Sequence, residues 1–468
     1  MVIGMDGSSV MAALRAGEYG YLDDNQHIYL DYTGAGLPSR SQLRAHHDRI
    51  ASQVHGNPHS DNPASALSDR LLSRARAAVL RHFHADPDEY AVVFTANATA
   101  AIRLVAEAFP FGRRTPLVLT ADNHNSVNGV REFARARRAR THYVPLDADG
   151  LRIHHGTLRA ALREHRPRRG ATGLFAYPAQ SNFTGVQHPL EWVADAQAYG
   201  YQVLLDAAAY APTNPLDLSA VRPDFVPVSW YKILGYPTGV GCLIARHEAL
   251  ARLRRPWFAG GTIHVVSAQG QWHRLADDET AFEDGTVNFL SIPDVTEGLD
   301  WLATIGMDTV HRHVTALTER LLAGLCALRH RTGAPLVRLY GPRDTRRRGG
   351  TVAFNVLDPQ GRTVDERVVG RDSSAHRISL RTGCFCNPGA GEGAFALTLR
   401  ALRAGGRHTH RSIDDYLHLL GLPTGGAVRV SLGLPSNEAD VEALLDFLTD
   451  RYRDRTVSTE GLSPRLRC

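Results

Sequence analysis

The sequence of 468 residues is almost without lysine. It holds 53 lysine and arginine residues, and all of them except Lys232 are arginine. Arginine supplies charge and ion pairs as well as lysine does, but its guanidinium stays protonated and cannot act as a nucleophilic amine. The alternative is that Lys232 is a surface residue without a functional role. Otherwise, its presence indicates a position where a neutral amine is needed. We therefore predict a Schiff-base lysine, which requires a lowered pKa and a carbonyl partner.

Long apolar runs and cysteines are also scarce. No run of about 18 apolar residues is present, so the sequence predicts no membrane span. Asp6, and no basic cluster, precedes the weak apolar stretch at the N-terminus, which argues against a signal peptide. The five cysteines contain one close pair, Cys384 and Cys386, which is too sparse for a disulfide framework or a metal site. We expect a cytoplasmic protein without metal and without membrane contact.

The formal net charge of +5 raises the question of nucleic-acid binding. The arginines, however, are scattered along helical stretches and in short clusters such as residues 346–348, with no interleaved aromatic residues. Such a distribution is typical of solvated faces. We therefore expect no nucleic-acid partner.

Strand-like apolar runs alternate with amphipathic helical stretches through the first two thirds of the chain. The runs are residues 90–95, 116–122, 141–146, 172–178, 201–210, 224–230 and 239–245. This alternation predicts an α/β fold with a parallel, doubly wound sheet.

The pattern changes after about residue 300. A long helix is predicted over roughly 308–331, followed by strands at 349–356, 376–382 and 427–433 and a closing helix at 438–450. This order favours a smaller α+β domain. The predicted division is an N-terminal segment 1–40 that packs with the small domain, a large domain 41–305, a small domain 306–452 and a flexible tail 453–468.

Pyridoxal phosphate is the commonest carbonyl partner of a Schiff-base lysine, and its other needs can be sought in the sequence. It requires a phosphate cradle, an acid beside the ring nitrogen and a flat group over the ring, and a doubly wound sheet presents such groups at the carboxyl ends of its strands. The candidates that follow predicted strands are Ala98, Thr99 and Ser229 for the phosphate, Asp206 for the ring nitrogen, Asn182 for the ring oxygen and His124 for stacking. Helix capping is the competing explanation for Thr99, His124 and Asp206, and an exposed surface position is a further alternative for His124.

The motifs around these residues resemble those of the class V aminotransferase superfamily. The resemblance is closer to the aminotransferase-like domain of molybdenum cofactor sulfurases, which are relatives of cysteine desulfurases. The matching stretches span nearly the whole chain in order: YLDYTGAG (29–36), DNHNSV (122–127), LFAYPAQSNFTG (174–185), LLDAAAY (204–210), SWYKILGYPTGVG (229–241), FEDGTVNFL (282–290), RGGTVAFNV (348–356) and RTGCFCNPGA (381–390).

The resemblance implies fold type I of the pyridoxal phosphate-dependent transferases, with a mostly parallel seven-stranded sheet in the large domain and a smaller α+β domain. It places the cofactor on Lys232, with Tyr231 beside it. Thr286 matches the threonine that reaches the phosphate of the neighbouring subunit in relatives, which implies a homodimer. Two positions depart from many desulfurases: Ala209 replaces a glutamine and Tyr231 a histidine, and both fit the sulfurase branch.

A desulfurase passes sulfur to a thiolate that must be accessible and partly ionised. Cys384 and Cys386 lie on a loop rich in glycine and proline, whereas Cys242 and Cys326 lie in apolar runs and are expected to be buried. The R-x-G-x-x-C spacing of one desulfurase group leads from Arg381 to Cys386. Two roles remain open for Cys384, which either faces inward or acts as a resolving thiol.

Arginine is the expected ligand of the substrate carboxylate, because its planar guanidinium pairs with a carboxylate through two hydrogen bonds. Arg429 matches a family arginine at the start of a strand; the competing placement is an exposed residue on an edge strand. Arg381 and Asn182 are further candidates for substrate binding.

These implications together predict a pyridoxal phosphate-dependent cysteine desulfurase of the sulfurase type, with Lys232, His124 and Cys386 as catalytic residues. L-cysteine or a related amino acid is the expected substrate, and an acceptor protein or biosynthetic enzyme takes the sulfur. Eukaryotic-type sulfurases carry a further C-terminal domain for the molybdenum cofactor; because these 468 residues do not extend into such a domain, we expect a sulfur acceptor other than that cofactor. A C–S lyase or an aminotransferase-like enzyme without a persulfide is the enzymatic alternative, and a cofactor-binding sulfur carrier is the non-enzymatic one.

Overall fold

The computed structural model describes residues 7–405, 412–422, 424–463 and 465. Both the predicted N-terminal segment and the predicted tail extend past these bounds, so their outermost residues lie outside the described part. Within these ranges, no helix is both long enough and apolar enough to cross a lipid bilayer.

The described residues form fifteen strands. Their bounds are β1 Ile28–Tyr29, β2 Tyr90–Thr95, β3 Leu117–Thr120, β4 Thr141–Val144, β5 Gly173–Pro178, β6 Tyr201–Asp206, β7 Phe225–Ser229, β8 Gly241–Arg246, β9 Ile263–Ser267, β10 Trp272–Leu275, β11 Val337–Tyr340, β12 Thr351–Val356, β13 Ile378–Ser379, β14 Arg381–Gly383 and β15 Ala427–Ser431.

Eighteen α-helices and one 3-10 helix, Glu279–Phe282, are found in the same ranges. The α-helices are α1 Gly7–Tyr19, α2 Tyr21–Asp24, α3 Arg40–Ser52, α4 Pro63–His82, α5 Ala98–Ala108, α6 Asn125–Asn128, α7 Val130–Ala136, α8 His155–Glu164, α9 Trp192–Ala198, α10 Trp230–Leu234, α11 His247–Leu250, α12 Pro293–Ile305, α13 Met307–Ala327, α14 Glu366–Ala375, α15 Pro388–Ala394, α16 Leu399–Gly405, α17 Ile413–Leu419 and α18 Glu438–Tyr452.

The seven predicted strands of the first two thirds form one sheet in the order β2-β8-β7-β6-β5-β3-β4. Strand β8 runs antiparallel to both of its neighbours, and the other pairs are parallel. The prediction of a mostly parallel seven-stranded sheet is confirmed. Successive residues of a strand pack on opposite faces of this sheet. In β2, Val92 and Phe94 pack in one apolar cluster, and Ala91 and Val93 pack in another. Helices cover both faces of such a sheet, which explains why its strands are apolar throughout.

The smaller sheet is antiparallel, with the order β11-β12-β15-β14. The sequence did not predict β11, and the single strand predicted over 376–382 is wrong. Its first part, β13, pairs with β1 near the N-terminus, and its second part, β14, pairs with β15. The chain changes partners at Leu380, a change that a local apolar pattern does not record.

The domain boundaries remain a prediction, but contacts of the N-terminal segment can be described. Strand β1 pairs with β13, Asp31 forms a β-bridge with Ser431, and Arg15 forms an ion pair with Asp440 at 3.0 Å. These contacts hold residues 15–31 against the last third of the chain, next to β15.

Candidate active site

A cavity of about 190 Å³ lies at the carboxyl ends of the large sheet's strands. The cofactor-binding candidates Ala98, Thr99, His124, Asn182, Asp206, Ser229, Tyr231 and Lys232 all line it. The topology explains the convergence, because the carboxyl ends of parallel strands meet at one edge of a sheet. Thr286 is the exception: it is exposed and is not among the residues that line the cavity. The roles of these residues remain predictions.

One end of the cavity is built for an anion. Helix α5 begins there, and the amide of Ala98 donates to Ser229 Oγ at 2.8 Å. The hydroxyls of Thr99 and Ser126 are 2.7 Å apart. Asn97 is the N-cap of α5, with its side chain accepting from the amide of Ala100, so capping by Thr99 is excluded. Three hydroxyls around a helix N-terminus form a cradle for a phosphate group.

Lys232 lies on the short helix α10, directly after β7, and reaches the same cavity. Burial lowers the pKa of its amine; Asp206 opposes this shift, while Arg429 and Arg381 reinforce it. A neutral amine is therefore more accessible here than on a free lysine. The backbone on the other side is held by Gly36, whose amide donates to the carbonyl of Tyr231 at 3.0 Å.

Asp206 is the last residue of β6 and is 7% exposed. Among the described residues, its carboxylate accepts one hydrogen bond, from the amide of Ala208 at 3.0 Å. This local bond is of the kind that the alternative prediction, a capping role for Asp206, requires. It still leaves one carboxylate oxygen for another donor in the cavity. A cationic ring nitrogen meets that need, because a buried carboxylate requires a charged partner.

His124 combines the two predicted alternatives. It lines the cavity, and its Nδ1 accepts from the amide of Ser126 at 3.1 Å as the N-cap of α6. Burial, reinforced by Lys232, lowers the pKa of His124 below the usual 6.5. The imidazole is therefore neutral at neutral pH and can lie flat against an aromatic ring without adding charge.

The loop that carries Cys386 is fastened next to this cavity. The amide of Asn125 donates to the carbonyl of Cys386 at 2.7 Å, and Asn182 Nδ2 donates to the carbonyl of Phe385 at 2.8 Å. Asn387 Nδ2 also donates to Asn182 Oδ1 at 2.8 Å. Three hydrogen bonds thus tie the loop to residues that flank or line the cavity.

The cysteines differ in access. Cys386 is a free, exposed thiol, whereas Cys384 is disulfide-bonded. Cys242 is buried, as expected, and its burial raises the pKa of its thiol far above the usual value. The expectation of a buried Cys326 is wrong, because its place on α13 leaves it half-buried.

A cluster of two arginines and one aspartate adjoins the site. Arg381 and Arg429 are directly opposite each other on β14 and β15. Asp31 accepts hydrogen bonds from Arg381 Nε at 2.9 Å and from Arg429 Nη2 at 2.9 Å. Asp31 thereby offsets the repulsion between two like charges on neighbouring strands. The residual charge of the cluster is +1, which matches the single negative charge of an amino-acid carboxylate.

Arg429 is buried, in contrast to the alternative prediction of an exposed residue on an edge strand. Strand β15 lies inside the small sheet, and Arg429 is 3% exposed, so the edge-strand placement is wrong. Its Nη1 donates to the carbonyl of Asn182 at 3.0 Å, and its guanidinium lies over the ring of Phe385. Its Nε is buried and has no hydrogen-bond partner among the described residues.

Several residues of the site were not predicted from the sequence. Ser126 and Gln180 line the cavity, and Asp31 organises the arginines. A signal for Asp31 existed, because it interrupts an apolar stretch within YLDYTGAG. Its partners are about 350 and 398 positions away in the chain, so the sequence did not indicate what it binds. Nowhere in the described ranges does a group of three or more histidine, cysteine, aspartate or glutamate side chains converge as a metal site.

Comparison with known proteins finds relatives in sequence and in fold. Molybdenum cofactor sulfurases are 36% identical in Homo sapiens (95% of this chain, 52% of the relative) and 34% identical in Arabidopsis thaliana (96% and 59%). The chain thus spans about half the length of these relatives. A cysteine desulfurase structure from Thermococcus onnurineus superposes with a TM-score of 0.77 at 24% identity, covering 94% of this chain and 97% of that one. The CsdA cysteine desulfurase of Escherichia coli superposes with a TM-score of 0.73 at 20% identity, covering 94% and 98%.

The matched region leaves out little of the chain. The family model described as aminotransferase class-V matches residues 28–444. This range includes β1 and Asp31, the helix α10 that carries Lys232, and the loop of Cys386. The cavity, the lysine and the arginine cluster all fall inside that match, and the chain therefore belongs to the class-V aminotransferase family.

Proposed function

We propose that the protein is a pyridoxal phosphate-dependent cysteine desulfurase that takes sulfur from L-cysteine as a persulfide on Cys386. One observation carries the proposal. Cys386 has a free, exposed thiol, and its backbone carbonyl accepts a 2.7 Å hydrogen bond from the amide of Asn125, the residue after His124. His124 itself lines the cavity that holds Lys232, the only lysine of the chain.

The residues of the cavity fit the cofactor. The N-terminus of α5 with Thr99 and Ser229 would hold its phosphate, Asp206 its ring nitrogen, and His124 its ring face. When bound, pyridoxal phosphate supplies a carbonyl carbon for amines and an electron sink next to the Cα of an amino acid. The unpartnered oxygen of Asp206 and the lowered pKa of Lys232 are the features of this chain that call for such a group.

Arg429 and Lys232 have separate tasks toward the substrate. Arg429 binds the carboxylate of L-cysteine, because the cluster of Asp31, Arg381 and Arg429 keeps a net charge of +1 and Nε of Arg429 has no hydrogen-bond partner among the described residues. With cofactor and substrate bound, the amine of Lys232 would accept the Cα proton of the substrate and later return a proton to the product. Its lowered pKa keeps a neutral amine available for the first of these steps.

Cys386 acts on the substrate's sulfur. Its thiolate attacks that sulfur, an S–S bond forms, and the C–S bond of the substrate breaks. The electron pair of the broken bond stays with the Cβ fragment, which takes up protons and leaves as alanine. Glycine and proline flank the thiol, at Gly383 and Pro388, and such a loop can move between the cavity and an acceptor outside it. A carrier protein or a biosynthetic enzyme is the proposed acceptor.

The Cys386→Ser variant tests the transfer step. With L-cysteine and no reductant, the cofactor-loaded wild type should carry a persulfide on the Cys386 peptide, read by mass spectrometry, and release alanine. Cys386→Ser should bind L-cysteine, seen as a change in cofactor absorbance, and release at least a hundredfold less alanine. Cys326→Ser is the matched control, because Cys326 is a free thiol on α13 that does not line the cavity, and it should keep the wild-type rate.

Other outcomes would assign other functions. If Cys386→Ser still turns over and pyruvate is released, the protein is a C–S lyase. Transfer of the amino group to a keto acid would make it an aminotransferase. A bound chromophore without any turnover would leave the sulfur-carrier alternative.

We further propose that the protein acts as a homodimer in the cytoplasm. The hairpin of β9 and β10 exposes Val265, Val266 and Trp272, each by more than 40% of its side-chain surface. Val265 and Val266 are adjacent in β9 and point to opposite faces, so each face of the hairpin exposes an apolar side chain. A two-stranded hairpin is marginal on its own, and a second copy of the chain would cover it. Thr286, exposed as well, would then be able to reach the partner's phosphate cradle.

A further inference from the structure

Six arginines line one cavity of about 620 Å³ that is separate from the candidate active site. They are Arg113, Arg114, Arg138, Arg140, Arg166 and Arg168. Glu164 is the one acidic side chain in its lining, so the cavity carries a formal charge of +5 with its histidines neutral. This equals the net charge of the whole chain. We call this feature the basic cavity.

The sheet topology brings these arginines together. Residues 113–114 precede β3, residues 138–140 precede β4, and residues 166–168 precede β5. These three strands are neighbours and parallel, so their amino ends meet at one edge of the sheet. The candidate active site lies at the opposite, carboxyl edge. The basic cavity is therefore distinct from the site that binds cofactor and substrate.

The arginines of the basic cavity are not used within the chain. Within the described ranges, none of their side chains forms an ion pair or a hydrogen bond. Arg465, by contrast, is paired with Asp365 and Glu366. Six unpaired cations in one concavity repel one another and destabilise the folded state. An anion in the cavity would remove that repulsion.

We propose that the basic cavity binds a small anion that carries several phosphate groups. Guanidinium groups pair with phosphate oxygens through two parallel hydrogen bonds, which suits a ligand with repeated phosphates. A volume of 620 Å³ is that of a small-molecule pocket. Inside it, His142 and His165 stack with ring centroids 3.5 Å apart and planes at 9°. Burial, His165 and Arg140 lower the pKa of His142, so the positive field of the cavity acts on its own lining.

Calorimetric titration of the full, cofactor-loaded chain with inorganic tripolyphosphate tests the proposal. The ionic strength is held near the physiological value, at which exposed charges more than about 8 Å apart are screened. We expect one saturable site per chain. The double substitution Arg140→Gln and Arg166→Gln should weaken binding at least tenfold. The control, Arg70→Gln and Arg74→Gln, removes two exposed, unpaired arginines of α4 and should change the affinity less than twofold.

A second readout separates loss of binding from loss of fold. Tripolyphosphate should raise the melting temperature of the wild type and of the control, but not that of the Arg140/Arg166 variant, whose cofactor absorbance should be unchanged. If adenosine triphosphate binds with the same affinity as tripolyphosphate, the site recognises the phosphate chain. If adenosine triphosphate binds more tightly than tripolyphosphate, the site recognises nucleotides. Equal weakening in both double variants, no saturation, or binding of a single-stranded oligonucleotide but not of tripolyphosphate would overturn the proposal.

Discussion

At the scale of single residues, the reactivity of Lys232 depends on how its neighbours shift the pKa of its amine. Burial and two nearby arginines lower its pKa below the usual 10.5, while Asp206 opposes the shift. The neutral, nucleophilic form is therefore populated at lower pH than on a free lysine. The attachment of pyridoxal phosphate to the apoprotein should speed up with rising pH and reach half of its plateau rate below pH 10.5.

Cofactor absorbance after rapid mixing measures that rate. Borohydride reduction should then fix the cofactor to the Lys232 peptide in the wild type. Lys232→Arg keeps the charge but has no neutral amine, and it should show no covalent attachment. A half-maximal rate at or above pH 10.5, or label on any other peptide, would contradict the assignment.

Asp31 is the residue whose loss should be felt most in the arginine cluster. Asp31→Asn keeps the shape but removes the charge that offsets Arg381 and the buried Arg429. Breaking a buried pair and leaving one charge uncompensated costs about 3–5 kcal/mol. The melting temperature should fall by several degrees, and the KM for L-cysteine should rise as Arg429 loses its orientation. Asp277→Asn, in an exposed ion pair, is the control and should leave both values unchanged.

At the scale of elements, the position of the Cys386 loop depends on how closely α15 approaches β3. A Cβ on Gly389 would lie 2.0 Å from the carbonyl oxygen of Ala121, just past the end of β3. Because that neighbour is backbone, Gly389→Ala should displace the start of α15 and the Cys386 loop with it. Persulfide formation should slow at least tenfold, measured by alanine release.

Gly391 offers a matched control in the same helix. A Cβ on Gly391 would meet nothing within 4 Å, so Gly391→Ala should leave the rate unchanged and add slightly to helix stability. Equal rates in the two variants would show that the approach of α15 does not position the loop.

At the scale of the whole molecule, the proposed dimer makes each site depend on two chains. In a heterodimer of Lys232→Ala and Thr286→Ala chains, one site would combine an intact lysine with an intact threonine. Cofactor binding and alanine release should then recover to about half of the wild-type level. A heterodimer of Lys232→Ala with Cys386→Ser should stay inactive, because its intact lysine shares a chain with the missing thiol. Sedimentation as a monomer would exclude shared sites.

The sequence by itself determined the periodic elements and the chemistry of the cavity. The seven strands of the large sheet could be predicted because strands buried on both faces are apolar throughout. The cavity residues could be predicted because each lies at the end of such a strand or shortly after it. One lysine among 53 basic residues was a chemical signal that needed no structure. The mostly parallel arrangement then followed from the alternation of strand and helix and from the family resemblance.

Only the tertiary structure decided the contacts between distant segments. The division of residues 376–382 between two sheets depends on β1, and the role of Asp31 depends on arginines some 350 and 398 positions away. The basic cavity likewise needs three loops from before three strands, which are short and scattered in the sequence. A hydrophobic pattern shows which residues of an element are buried. It does not show which distant segment the element pairs with, because any element with a free strand edge or a complementary charge can be that partner.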